Sequence, residues 1–251
     1  MEIIPRYTLF EKNNTFFLNV KDLELEDSCE LFVEFIKQAD SYYDNLIKAR
    51  KLTIRYVKLD GKTIFIDSVQ GIKFKLFGTG NLVTIYEGTE FNNCLMNLKS
   101  NVSVTIGKSR HNITGLKIWG ANSRVAIGQD FSCWGVEIRC HEPKSEVIIG
   151  DDCMFSEEIL VYPTDVHAIY DNNTKEVLNK SEPIIIGNHV WCGRRVSILK
   201  GSQISDNSVI GMGSVVVNKF NTSNLVIAGC PARLIKSNIN WDRKNSFDYR
   251  G

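Results

Sequence analysis

The chain has 251 residues, with 30 basic side chains against 29 acidic ones and a formal charge of +1 when histidine is neutral. Hydrophobic residues make up 43% and charged residues 24%, an ordinary globular composition, and the balanced charge argues against a nucleic-acid binder that works through a basic field. No apolar run approaches the ~18–20 residues of a membrane span, and the opening Met1-Glu-Ile-Ile-Pro-Arg6 lacks the basic and then apolar pattern of a secretory signal.

The expected compartment is therefore the cytoplasm. The seven cysteines at 29, 94, 133, 140, 153, 192 and 230 include no CxxC pair and no Cys/His cluster. They are expected to be small buried apolar residues in a reducing environment. Eighteen glycines remain to be explained, many of them next to Ile or Val in the second half.

In chain order, residues 5–20 and 52–67 read as short strands, with a turn at Leu59-Asp-Gly-Lys62. Between them, Asp27-Ser-Cys-Glu30 resembles a helix start. Leu31/Phe32, Phe35/Ile36, Ala39, Tyr42/Tyr43 and Leu46/Ile47 then recur at helical spacing to about Arg50. Residues 1–70 are thus expected to form a small mixed α/β cap, which an open solenoid end needs.

From residue 71 to 236 a repeat governs the chain. Positions 186, 192, 198, 204, 210 and 216 read Ile, Cys, Ile, Ile, Ile and Val, and the residues two before each are Ile, Val, Val, Ser, Ser and Ser. A period of six fits a parallel β-helix, in which three strand-and-corner units close a triangular coil and the aliphatic residue of each points inward to stack on its equivalent. Each such side chain contributes roughly 1.5–3 kcal/mol of burial. Corners need an unusual backbone conformation, which Gly and Asn reach at the lowest cost.

Earlier anchors are Ile106-Gly107, Ile127-Gly128 and Ile149-Gly150, and Ile149, Phe155 and Val161 again step by six. The 37 residues from Ile149 to Ile186 hold a coil plus an insertion over 163–182. A long loop on a regular solenoid is more often functional than accidental. Gly229-Cys-Pro-Ala-Arg-Leu-Ile-Lys236 breaks the period and ends the solenoid, leaving a polar tail, 237–251, expected to be loose or docked on a neighbouring chain.

Of the four histidines at 111, 141, 167 and 189, His167 lies in the insertion between Asp165 and Asp171. An imidazole that titrates near pH 6.5 suits a general base. A surface histidine in a polar loop is the alternative that the residues themselves leave open.

Thr164-Asp-Val-His-Ala-Ile-Tyr-Asp171, Pro183-Ile-Ile-Ile-Gly-Asn-His-Val-Trp-Cys-Gly193, Ile210-Gly-Met-Gly-Ser-Val-Val216 and Gly229-Cys-Pro-Ala-Arg233 together resemble the hexapeptide-repeat acyltransferases, above all their capsule and O-antigen O-acetyltransferase branch. The resemblance covers about residues 83–236 and is sharpest over 145–236. It implies a mainly β protein, a left-handed parallel β-helix behind the α+β cap, assembled as a homotrimer with acetyl-CoA between adjacent subunits and a small-molecule or glycan acceptor, a sugar hydroxyl of a surface polysaccharide or its precursor. His167 would be the base that takes the acceptor hydroxyl proton. Asp165 could orient it, and an amide near Gly193 could hold the oxyanion.

Trp191 matches the tryptophan that lines the channel near the reacting groups. Gly211, Gly213 and Ser214 match the small residues along which pantetheine runs. Asn218 and Lys219 stand where relatives have Thr-Lys near the nucleotide, and Arg233 and Lys236 match basic positions that meet phosphate. Cys192 and Arg194 depart from the usual residues, Arg194 placing a cation near the channel. His141, one coil earlier, is a candidate acceptor residue with Trp191 and Asp165, and Glu157 and Glu158 are similar candidates. Each of these residues also has a purely structural reading as a corner or solvated surface.

A zinc enzyme on the same fold would need three clustered histidines, and the gaps here are 30, 26 and 22 residues. Serine O-acetyltransferases carry a long helical amino-terminal domain, for which one helix is too little. An amino-sugar N-acetyltransferase and a non-catalytic scaffold are the remaining alternatives.

Overall fold

A computed structural model describes residues 7–12, 15–20 and 47–250. The helix expected over 28–50 lies outside the described residues except at its end, where 47–49 are helical. Tyr7–Lys12 and Thr15–Val20 pair antiparallel. The solenoid begins at Leu52, and from Asn81 to Val216 each coil lays one strand on each of three sheets, which have nine, eight and seven strands among the described residues.

The first face begins with Leu52–Val57, flanked by antiparallel Thr63–Ile66, and runs through Glu146–Ile149 and Ile184–Ile186 to Lys219–Phe220. The second runs from Phe91–Asn92 through Met154–Phe155 and Trp191–Cys192 to Val226–Gly229, where Ala232–Lys236 turns back antiparallel and closes it. The third runs from Ile72–Leu76 through Ile159–Tyr162 and Ser197–Leu199 to Val215–Val216.

The six-residue period is the geometry of these coils. Ile106, Ile127, Ile149, Ile186 and Ile204 are successive register partners on the first face. Cys133, Phe155, Cys192 and Ile210 stack on the second. Ile118, Ile138, Val161, Ile198 and Val216 stack on the third. All of these side chains are at most 2% exposed, so Ile149, Phe155 and Val161 contribute one inward side chain to each face of one coil.

The glycines after the first-face anchors have a different cause from the one expected. Gly107, Gly128, Gly150 and Gly187 are absent from the residues with positive φ. They are glycine because coils touch there. A Cβ on Gly107 would lie 2.7 Å from the Gly128 carbonyl carbon, and one on Gly128 would lie 2.6 Å from that of Gly150. The left-handed backbone falls two residues later, on Asp130, Asp152 and His189, with φ of 52°, 51° and 53°. Asp and Asn tolerate this region through short local hydrogen bonds. A side-chain ladder reinforces the same corner. Asp151, Asn188 and Asp206 each accept, through Oδ1, the N–H of residue 129, 151 or 188 in the coil before, at 2.7–2.8 Å.

The insertion leaves the third face after Tyr162 and rejoins the first at Ile184. Asn179 is its internal hub, nearly buried: Nδ2 donates to Asp165 Oδ2 at 3.0 Å and to the His167 carbonyl at 2.8 Å, and Oδ1 accepts the Ile169 N–H at 2.7 Å. Lys200, one coil on, donates to Asp165 Oδ2 at 2.5 Å and to the Asn179 carbonyl at 3.1 Å.

Part of the tail, at Trp241 and Arg243, is held by its own chain. It returns along the second face of its own chain. The Trp241 indole lies parallel to the His189 ring at 4.1 Å, and its Nε1–H donates to the His189 carbonyl at 2.8 Å. Arg243 donates to Asp152 Oδ1 at 3.0 Å, Ser132 Oγ at 2.7 Å and the carbonyls of Asp130 and Cys153 at 3.0 and 3.2 Å. These partners lie in corners with left-handed backbone, where carbonyls and carboxylates turn outward and offer acceptors to one planar guanidinium.

Candidate active site

The insertion places His167 at the edge where the third face turns to the first. Its N–H donates to the Asp165 carbonyl at 2.7 Å and its carbonyl accepts from Asn179, while its exposed imidazole makes no hydrogen bond among the described residues. The backbone of His167 is thus fixed and its ring is open. Asp165 does not orient that ring: its carboxylate is held by Lys200 and Asn179. The Lys200 hydrogen bond, aided by Asn179 and opposed by partial burial, keeps its pKa below the ordinary value.

One coil earlier, half-buried His141 stands edge-on to Tyr162 at 6.3 Å and lies 6.4 Å from Trp119. Burial first, then the charges of Arg139 and Lys99, push its pKa down, so the neutral ring is favoured.

The expected donor-side residues lie elsewhere on the prism. Trp191 projects from the second face beside buried Cys192, with its indole 6.1 Å from that of Trp241. Gly193 and Arg194 follow at the edge between the second and third faces. The Gly193 N–H already donates to the Ile210 carbonyl at 2.8 Å, so it is unavailable to an oxyanion. Arg194 is not a free cation. It meets Glu158 through Nε at 3.1 Å and Glu157 at 3.4 Å, while Arg195 donates to Glu158 at 2.7 Å. Hydrogen bonds from Arg195 and Arg194 hold the Glu158 carboxyl below its usual range.

Gly211, Gly213 and Ser214 form the next corner along that edge. Gly213 has φ of 73°. Ser214 is fully buried, its hydroxyl donating to the Gly211 carbonyl at 2.6 Å and accepting the Gly229 N–H at 3.1 Å, so it shapes the corner rather than presenting a polar group. Asn218 and Lys219 are exposed where the third face returns to the first, and Arg233 and Lys236 are exposed on the closing strand.

The expected residues thus fall into separate groups. His167, Asp165 and His141 share one edge. Trp191, Gly193, Arg194, Gly211, Gly213 and Ser214 lie on the opposite face and at another edge. Sequence reasoning missed Lys200 and Asn179, which hold the insertion, and Trp241 and Arg243, which border Trp191. The insertion's length could have prompted a search for such braces, but nothing in the aperiodic tail marks its docking. Among the described residues no group of three or more His, Cys, Asp or Glu is placed to hold a metal ion, and no helix is long and apolar enough to cross a membrane.

The three-faced coil with one long insertion has the architecture of the left-handed β-helix acetyltransferases, and its hexapeptide sequence is similar to theirs. No family model matches the chain. A polysialic acid O-acetyltransferase of Escherichia coli O1:K1 is 34% identical over 126 residues, 50% of this chain and 40% of the relative. That of Neisseria meningitidis is 36% identical over 101 residues, 40% of this chain and 47% of the relative. A galactoside O-acetyltransferase of Escherichia coli K12 is 38% identical over 105 residues, 41% of this chain and 51% of the relative. The matches therefore span about half the length of these curated relatives or less.

Among solved structures, the polysialic acid O-acetyltransferase OatWY superposes with a TM-score of 0.62 at 28% identity, covering 79% of this chain and 94% of that one. The polysialic acid-specific acetyltransferase NeuO gives 0.59 at 28%, covering 72% and 87%.

Proposed function

We propose that the protein is an O-acetyltransferase that moves an acetyl group from acetyl-CoA to a sugar hydroxyl of a polysaccharide or its precursor, with His167 as general base. The observation that carries this reading is the open imidazole of His167 on a braced insertion, in a chain whose sequence and fold are similar to O-acetyltransferases. Because His167 and Trp191 lie on opposite sides of one prism, a complete site requires a second copy. The insertion of one subunit then meets the Trp191 side of the next, and a homotrimer closes three such junctions.

Acetyl-CoA supplies the thioester that is cleaved. His167 takes the proton of the acceptor hydroxyl, and the oxygen bonds to the acetyl carbon. The carbon–sulfur bond breaks, and the imidazolium returns the proton to the departing sulfur. Gly213, beside which no heavy atom lies within 4 Å of a would-be Cβ, leaves room for a thin chain along the edge, whereas the next coil already packs against Gly193 and Gly211. Arg233, Lys236 and Lys219, with Asn218, supply groups for phosphate. His141, kept neutral, can accept or donate a hydrogen bond to the acceptor.

The test is thiol release from acetyl-CoA with a panel of sugars, amino sugars included. Turnover is expected on hydroxyl acceptors, and His167→Ala is expected to lower it by about 10²–10⁴. Full turnover by that variant refutes the base, transfer to an amine alone refutes O-acetylation, and a strictly monomeric solution mass refutes the shared site.

A further inference from the structure

Beside Trp191, on the side that the proposed shared site uses, the second face carries a groove of about 690 Å³. Met154 and Phe155 lie along it, Arg243 of the docked tail borders it, and Trp134 stands at its rim. Trp134 is 71% exposed and Trp191 39%. Trp134 follows Cys133, whose register partner is Phe155, and Phe155 in turn pairs with Cys192 next to Trp191. The two indoles are therefore two strand spacings apart along the axis, about 10 Å.

Two exposed indoles along one groove form the kind of apolar patch that marks a ligand or partner site. The groups around it are polar and charged. Arg110 is 70% exposed beside Asp130, Asn112 is exposed, and Glu157 also lines the groove. A pyranose ring offers an apolar C–H face and a rim of hydroxyls. A flat indole takes the first, and planar guanidinium, amide and carboxylate groups take the second. The volume lies within the range of small-molecule sites.

We propose that this groove is an extended acceptor subsite, in which a pyranose ring of the glycan, remote from the one being acetylated, stacks on Trp134. This rests on the acetyl-transfer reading, and it commits the enzyme to an oligomeric acceptor over a free monosaccharide. Neutral and carboxylate-bearing pyranoses share the stacking chemistry.

Two probes separate those sources: a galacto-oligosaccharide and a polysialic acid oligomer. Each is titrated into the protein without acetyl-CoA and followed by saturation-transfer NMR, then used as acceptor in thiol release. Trp134 is outside the core, so Trp134→Ala is expected to fold. It should weaken binding of the preferred oligomer and raise its KM by roughly 3- to 10-fold, with kcat and the acetyl-CoA KM unchanged. Trp134→Phe should recover most of the loss. Neither oligomer binding the wild type, or binding unaffected by Trp134→Ala, overturns the subsite. Oligomer binding that depends on Trp134 in a protein that transfers no acetyl group sustains the subsite and refutes the acetyl-transfer reading alone.

Discussion

Replacing Arg243 with alanine should release the tail without unfolding the helix. Arg243 is 22% exposed and donates to Asp152, Ser132 and two backbone carbonyls across two coils. A hydrogen bond involving a charged group contributes about 1.5–3 kcal/mol. Water reaches several of these acceptors once the side chain is gone, so the net loss of docking is about 2–3 kcal/mol. That multiplies the undocked population by roughly 30- to 150-fold.

Hydrogen exchange across 238–245 and tryptic cleavage at Lys244 should accelerate to match, while the melting temperature moves little because the stacked core contains no tail residue. Arg243→Lys, which keeps the charge but not the fork, should fall between. The wild type carries its own pH signature. Burial pushes the Asp152 carboxyl up, but hydrogen bonds from His189 and Arg243 outweigh it and hold the pKa below the usual value. A depressed folded pKa contributes stability that is present above the unfolded value of about 3.9 and is lost as pH falls through the folded one. The tail should therefore stay docked at neutral pH and loosen below about pH 4. Unchanged tail exchange in Arg243→Ala, or a tail indifferent to acid, would refute the pinning.

Lys200→Ala removes the brace from Asp165 and the Asn179 carbonyl. Exchange across 164–180 should rise, and acetyl transfer should fall by about tenfold through misplacement of His167; unaltered exchange in the insertion would count against the brace. Burial pushes the thiols of Cys133, Cys140 and Cys153 up to about 12 and raises that of Cys192 as well, whereas Cys230 is exposed. Iodoacetamide under native conditions, read by peptide mass spectrometry, should modify Cys230 and spare the five other described cysteines.

The legible part of this chain was whatever recurs. The Ile, Cys and Val anchors specify the faces because one inward side chain per strand is the condition for stacking coils. The insertion was visible as the place where the period stretches to 37 residues. Cys230 escaped the expectation of burial because it sits in the turn that closes the solenoid, outside the repeat. The corner glycines were misread for an instructive reason. Contact between successive coils and positive φ both favour glycine, and only coordinates show that contact fixes Gly128 while Asp130 carries the strained backbone. Arg194 likewise reads as a free cation in one dimension, since Glu158 is 36 residues away. Arg243 and Trp241 were illegible because their partners are side chains and carbonyls 52 to 113 residues earlier, with no pattern of their own to announce the pairing.

That long reach makes the tail a ruler. Arg243 engages corners at 130–132 and 152–153, and Trp241 the corner at 189, so the distance from the closing strand to these corners is fixed by a segment of constant length. A solenoid can otherwise gain or lose a whole coil with little penalty, since each layer sees only its neighbours. Here a coil duplicated between residue 190 and the closing strand would move the end of the solenoid by one strand spacing, about 4.8 Å, and the guanidinium would miss its acceptors. One duplicated before residue 107 would shift nothing the tail measures. The docked segment thus counts the layers from residue 130 onward and leaves those before it free to vary in number.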